Sequence, residues 1–433
     1  MASSVDAGWR LCDQSGTMPR PRALIVLLAI AVATLVPLAP RAAGPPRPAI
    51  SRSGVLEGAE YLIEVPANWR GGLVVFAHGI QRGPGPGAAT APPIASHILA
   101  QGHAWVASGY RAREYQPHLF IEDLVALRAH FLNDIGAPRW TIIYGMSMGG
   151  HITVASLELR PGLYQGGLTE CGLVDGISIA DYLLAYTAAA EFIAGAPLLD
   201  APDKQAFARI LNERVVPTLG MPGSYTARGR QFDSVVKYLM GADEGGHDLP
   251  LRLQGLERRY LLNMIHRDPD VEKEPNPGAR AASTAHIKYR IDPGLGLTEE
   301  ELNAGTRRVR PAKDARSPSV NPVYAERTGR LTVPLLTLHE TGDAWVPLSL
   351  EQSYRRRTIA AGTDHLLVQR VIRAPSHCGV DGETRERAFD DLVAWIERGV
   401  RPEGEDVLAR DLSRVGMKWT RILYTEDPLF RRR

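Results

Sequence analysis

From about residue 60 onward, short apolar runs alternate with segments of helical spacing. Residues 61–65, Tyr-Leu-Ile-Glu-Val, predict an early strand. After the turn signal Gly71-Gly72, residues 73–77 form an unbroken apolar run, as in a strand covered on both faces. His78, Gly79 and Ile80 follow, and then a Gly/Pro-rich loop over 81–89. A short helix is expected over 94–100 and a strand over 104–108. Leu119, Leu124, Leu127 and Phe131 recur at helical spacing and predict a helix over 117–135. Residues 141–144 are β-branched and aromatic and predict a strand, with a helix over 151–160 and a short strand over 166–171. Strand alternating with helix implies a mostly parallel sheet flanked by helices.

The alternation breaks at residue 173 and resumes near 331. Between these positions helical stretches (180–194, 204–213, 251–265) are separated by Pro- and Gly-rich connectors and a charged stretch at 267–280, with no convincing strand pair. The segment reads as a helical insertion, long enough to be a small domain of its own. Strand patterns return at 333–339 and 366–373, with helices over 349–361 and 384–398. The tail from Val400 is mixed and carries no functional signal.

Composition adds exclusions. The 433 residues are 44% hydrophobic and 23% charged, an ordinary globular balance, and the formal net charge of +2 gives no reason to expect a nucleic-acid partner. No HExxH, paired CxxC or EF-hand loop is present, so neither a metal nor another cofactor is implied. Met18-Pro-Arg-Pro-Arg22 is basic, and residues 23–39 are uncharged and mostly apolar, the order of a secretory signal. Met18 is a candidate start, and residues 44–48 read as a Pro-rich linker. The expected location is secreted or periplasmic; an uncleaved anchor through 23–39, which would bring in a membrane, is the alternative. Of three cysteines, Cys12 precedes the apolar segment, leaving Cys171 and Cys378 as an even pair in an oxidising context.

The candidate chemistry centres on Gly145-Met146-Ser147-Met148-Gly149, a G-x-S-x-G between a strand and a helix. This pattern turns the chain sharply with the serine at the tip, and its neighbours must be small. A serine hydroxyl needs an imidazole to take its proton and an acid to orient that imidazole. Asp343 follows the 333–339 strand, and His377, alone among 12 histidines, lies in the loop after the last strand. Ser147, Asp343, His377 is the chain order that accompanies such an elbow. Asp343 could instead cap a turn, with Asp175 and Asp181 as fallback acids, and His377 could be a surface histidine. His78 is expected to buttress its loop, and His151 to be structural or substrate-lining. An oxyanion hole would use the backbone N–H of Met148 and that of Ile80, with Gly79 as second choice.

The strand ending in His78-Gly79, the elbow at 145–149, Thr341-Gly342-Asp343 with Val346-Pro347, and His377 together resemble the α/β-hydrolase superfamily. The resemblance covers residues 55–400. It implies a core in two parts, 49–172 and 331–433, with a helical cap or lid at 173–330 and an N-terminal extension at 1–48. It also implies Ser147 as nucleophile, His377 as base and Asp343 as acid. Val65-Pro66, Trp69, Gly109-Tyr110-Arg111 and His377-Cys378 resemble exported bacterial esterases, amidases and depolymerases. No extended Gly run of the HGGG kind follows His78. The expected function is a serine esterase acting on a small-molecule or polymeric ester; an amidase or peptidase using the same triad, and a non-catalytic binding protein, are the alternatives. A disulfide between Cys171 and Cys378 is expected, because one ends the strand beside the elbow and the other adjoins the histidine that must reach it; two separate buried thiols are the alternative.

Overall fold

The computed structural model describes residues 49–241 and 257–421. The apolar segment 23–39, the linker 44–48, Cys12 and the first residues of the helix expected over 251–265 lie outside the described residues. Among the described residues no helix is long and apolar enough to cross a membrane.

Eight strands form one sheet: β1 (Ile50–Leu56), β2 (Ala59–Val65), β3 (Gly72–Ala77), β4 (His103–Ser108), β5 (Trp140–Met146), β6 (Gly166–Glu170), β7 (Leu335–Glu340) and β8 (Leu367–Ile372), in the order β1-β2-β4-β3-β5-β6-β7-β8. β1 pairs antiparallel with β2, and β2 antiparallel with β4; from β4 to β8 every pair is parallel. Every residue of β3, β4, β6, β7 and β8 is buried, as expected where helices cover both faces.

One face carries Phe76, Tyr144, Leu168, Leu336 and Val368. It is covered by α1 (Ala95–Ala100) and by α11 (Gly382–Arg398) through Ala388, Phe389, Leu392 and Trp395. On the other face Val75, Ile143 and Leu335 meet α2 (Pro117–Asp134) and α3 (Met148–Leu159) through Phe120, Leu124, Phe131, Ile152 and Ala155. The C-terminal stretch also has a structural role: Trp419 lies against the Arg370 guanidinium at 4.0 Å, and Val407 and Val415 pack with Leu348 and Val371.

No strand occurs among the described residues between β6 and β7. The segment holds α4 (Ser178–Ala194), α5 (Lys204–Ile210), a π-helical turn at Leu211–Val215, α6 (Val216–Leu219) and α7 (Ala227–Met240). It continues with a 3₁₀ segment at Glu257–Asn263, α8 (Pro277–Ala281) and α9 (Glu299–Gly305); α10 (Leu348–Ala361) then follows β7. α4 is apolar almost all round, which is the pattern of a helix with no solvent face. Tyr182, Ala185, Tyr186 and Ala189 join the core that holds α2 and α3, while Ala180, Leu184 and Ala188 pack on Ala281, Ala312 and Ala315.

Three elements depart from the sequence pattern. β1 has no signal in the apolar pattern, because ISRSGVL is a mostly exposed edge strand with no apolar face. Its signal lay in the turn: Glu57 and Gly58 both have positive φ, as a two-residue hairpin loop requires. α7 also lies outside the predicted helices, although Thr226 caps it, Gly241 ends it, and Phe232, Val235, Val236 and Met240 form its buried stripe. The described part of the 251–265 helix is 3₁₀ rather than α.

The sharp turn after β5 depends on two close approaches. A Cβ on Gly145 would overlap the Gly149 carbonyl oxygen, and a Cβ on Gly149 would overlap the carbonyl oxygen of Ala77 at the end of β3. Gly149→Ala should therefore destabilise the protein by about 1–3 kcal/mol or more, because backbone rather than a flexible side chain must yield. Equilibrium denaturation checks this; an unchanged midpoint would contradict the contact.

Candidate active site

Ser147 sits between β5 and α3 with φ 52° and ψ −118°, a strained conformation for a residue with a side chain. The turn is tied to the end of β6: the Ser147 N–H donates to Glu170 O at 3.1 Å, and the Leu173 N–H donates to Ser147 O at 3.1 Å. Because Met148 is the first residue of α3, its N–H has no carbonyl within the helix to bond. The loop after β3 runs directly past the serine: a Cβ on Gly79 would lie 3.2 Å from Ser147 Cβ and 3.8 Å from its Oγ. Ile80, next in that loop, turns its side chain partly to solvent.

Parallel strands bring their carboxyl ends to one edge, and the loops after β7 and β8 meet Ser147 there. His377 Nε2 lies 3.0 Å from Ser147 Oγ, and His377 Nδ1 lies 2.6 Å from Asp343 Oδ2. A carboxylate only accepts, so Nδ1 carries the proton and Nε2 is left to accept from the serine hydroxyl. Asp343 is fully buried, and its Oδ1 accepts the N–H groups of Trp345 (2.9 Å) and Val346 (3.0 Å). Burial disfavours the His377 imidazolium, but the charge and hydrogen bond of Asp343, with the charge of Glu170, outweigh it, so the net shift is above the ordinary 6.5.

This strand order, with a serine elbow after β5, an acid after β7 and a histidine after β8, decides the fold. The chain has the α/β-hydrolase fold. A family model described as a tannase-like family of unknown function matches residues 57–207, which include Ser147 but neither Asp343 nor His377. No curated protein sequence matches. Among solved structures the chain is similar to an acylaminoacyl peptidase from Pyrococcus horikoshii, at 14% identity and TM-score 0.40, covering 83% of this chain and 44% of that one. The chain thus spans less than half the length of that peptidase. It is also similar to feruloyl esterase B from Aspergillus oryzae (14% identity, TM-score 0.43, 82% and 81% coverage) and to a hormone-sensitive lipase from a metagenome library (16%, 0.39, 82% and 86%).

The remaining residues singled out in the sequence lie as follows. Asp175 pairs with Arg357 at 2.7 Å and accepts the Ser178 hydroxyl. Asp181 accepts from Arg316 at 2.9 Å and from the Ser283 N–H at 2.7 Å. Each fallback acid is committed to its own cation, and His377 Nδ1 already faces Asp343. His78 Nδ1 lies 2.6 Å from Gly79 O, its ring lies 4.1 Å from that of Tyr110, and burial lowers its pKa. His151 donates from Nε2 to Val323 O at 2.9 Å and accepts the Tyr115 hydroxyl at 2.6 Å through Nδ1. Burial, with Arg327 nearby, lowers its pKa to about 3, so it is a neutral tie between the elbow helix and the 306–330 stretch.

Several contributors were not visible in the sequence. The Tyr182 hydroxyl (3.2 Å) and Asn263 Nδ2 (2.7 Å), both from the insertion, donate to Ala344 O beside Asp343. Glu170 and Glu340, each the last residue of its strand, lie buried beneath the His377 loop. A carboxylate closing an otherwise apolar strand is the one signal that could have marked them.

Cys171 and Cys378 are joined by a disulfide, with Cα atoms 5.1 Å apart. The bond spans 207 residues and fastens the histidine loop to the exit of β6. In the chain-entropy model a loop of this size stabilises by up to about 5 kcal/mol. Thiol titration of the denatured, unreduced full chain should find one free thiol, Cys12; three would contradict the bond. Cys171→Ser with Cys378→Ser should lower the unfolding midpoint.

Proposed function

We propose that this α/β-hydrolase is an exported serine hydrolase that cleaves a carboxylic ester through an acyl-enzyme. The observation that carries the reading is the unbroken hydrogen-bonded line from Ser147 Oγ through His377 to buried Asp343, with the serine held on a strained elbow. Oγ attacks the carbonyl carbon while His377 Nε2 takes its proton, and Asp343 stabilises the imidazolium that forms. The carbonyl oxygen becomes an oxyanion, stabilised by the N–H groups of Met148 and Ile80, with Gly79 as the second candidate for the latter. His377 then protonates the leaving alkoxide, and the acyl group stays on Ser147. Water, deprotonated by the same imidazole, attacks the acyl carbon; collapse releases the acid and returns the proton to Oγ. No step calls on a metal or other cofactor.

Two further parts of the reading have their own support. A disulfide beside the site suits an oxidising compartment, as does the basic-then-apolar order of residues 18–39. The insertion at 173–330 would act as the lid, since Tyr182 and Asn263 attach it to the acid loop and closure over the site would exclude water.

Matched p-nitrophenyl esters and anilides test the reaction class: the esters should turn over and the anilides should not, and the reverse would make the protein an amidase. Ser147→Ala should reduce kcat by about 10⁵–10⁶-fold with the fold intact; retention of a tenth of the activity would remove Ser147 from the role. The pH profile checks the base. His377 acts only when neutral, so kcat/KM should fall as pH drops through its titration, and because its pKa is raised the acidic limb should lie above about 6.5. A limb centred well below that value would contradict the Asp343–His377 coupling.

A further inference from the structure

Three buried carboxyl groups converge beneath the histidine loop; among the described residues one is bound to Arg385 and another to the His377 imidazole. Glu170 and Glu340 end the adjacent parallel strands β6 and β7, and the register places both on the sheet face covered by α11. Glu170 is bound by Arg385 of α11, from Nε at 2.8 Å and from Nη2 at 2.5 Å, and accepts the Tyr144 hydroxyl at 3.0 Å. Asp343 faces His377. Glu340 has neither arrangement. Its Oε1 accepts the Gly379 N–H at 2.5 Å and lies 3.5 Å from the Ser376 hydroxyl, while its Oε2 is buried without a hydrogen-bond partner among the described residues.

The loop between those contacts carries His377. It is held from below at two points: Gly379 N–H on Glu340, and Cys378 O on Arg385 Nη2 at 3.0 Å. Glu340 is thus hydrogen-bonded to both flanks of the histidine without touching it.

We infer that Glu340 is a positioning residue for the hydrolysis proposed above, holding the Ser376–Gly379 loop as an uncharged carboxylic acid. The charge balance favours the neutral form. An unpaired carboxylate in this layer would be costly, whereas a neutral acid with one unmatched hydroxyl costs much less. Burial first, then the facing charges of Asp343 and Glu170, push the Glu340 carboxyl well above the usual range against the pull of the Gly379 N–H. Arg385 also faces Glu340 but is taken by Glu170. The neutral state matters for the reaction. A third negative charge here would further favour the imidazolium of His377 and withdraw the base at neutral pH.

The inference rests on the hydrolase reading for its kinetic part and on spectroscopy for the rest, so the two can fail separately. Glu340→Gln keeps an acceptor for the Gly379 N–H and removes only the titrating group. The infrared difference between wild type and Glu340→Gln at neutral pH should show loss of a protonated-carboxyl band; loss of carboxylate bands would overturn the inference. In ¹⁵N-histidine-labelled protein the His377 titration midpoint should be the same in wild type and Glu340→Gln within about 0.3 unit; a fall of a unit or more would show that Glu340 was charged, by the same coupling that shifts neighbouring carboxyls. In ester turnover Glu340→Gln should keep kcat within about threefold. Glu340→Leu, with no acceptor, should lose about 10²-fold in kcat with KM little changed, as misplacement of a catalytic group does. Wild-type kcat in Glu340→Leu would overturn the positioning role, as would an equal loss in Glu340→Gln. If Glu340→Leu does not fold, the Glu340→Gln kinetics and the two spectra decide. Absent wild-type turnover would sink the hydrolase reading, and with it the kinetic role, while leaving the charge state to the spectra.

Discussion

Ser147 reaches its position because three backbones pass within contact distance with no side chain between them. Gly149 lies against the Ala77 carbonyl, Gly145 against Gly149, and Gly79 against the serine itself. These approaches press the start of α3 onto the end of β3, and so bring the loop after β3 and the helix N-terminus to the same oxygen. The elbow stores strain of order 1–3 kcal/mol at one residue. The fully buried strands on either side, anchored across both faces by α2, α3 and α11, are what hold it.

The second constraint is electrostatic. The layer under the site contains Glu170, Glu340 and Asp343, all fully buried, with the Arg385 guanidinium on Glu170 and the His377 imidazole on Asp343. Low-dielectric surroundings tolerate charges only in pairs, so the placement of one proton settles the layer. The disulfide and the Arg385–Cys378 contact then fix the histidine loop mechanically, independently of protonation. The insertion adds a third tie through Tyr182 and Asn263 on Ala344 O, which links it to the loop that carries Asp343.

Much of this was legible along the chain, for identifiable reasons. Residues 73–77 announce a strand because burial on both faces demands an unbroken apolar run. Ser147, Asp343 and His377 could be picked out singly because each follows a strand, and a parallel sheet gathers such positions at one edge; the structure brings all three together. β1 was missed because a solvated edge strand has no apolar period, and α7 because its stripe is interrupted by five charged or amide side chains between Arg228 and Lys237. Glu170 and Glu340 were illegible for a different reason. They are 170 positions apart in number, and only the register of β6 against β7 makes them neighbours.

The central claim, that Ser147 is the activated nucleophile, is tested most directly by covalent labelling. A fluorophosphonate reacts with a serine hydroxyl only where a base and oxyanion donors already surround it. Incubation of the purified protein followed by intact-mass and peptide mapping should find a single phosphonyl group per chain, on Ser147, and none on denatured protein. Failure to label under conditions that label a known serine hydrolase, or a label mapped to a different residue, would contradict the account.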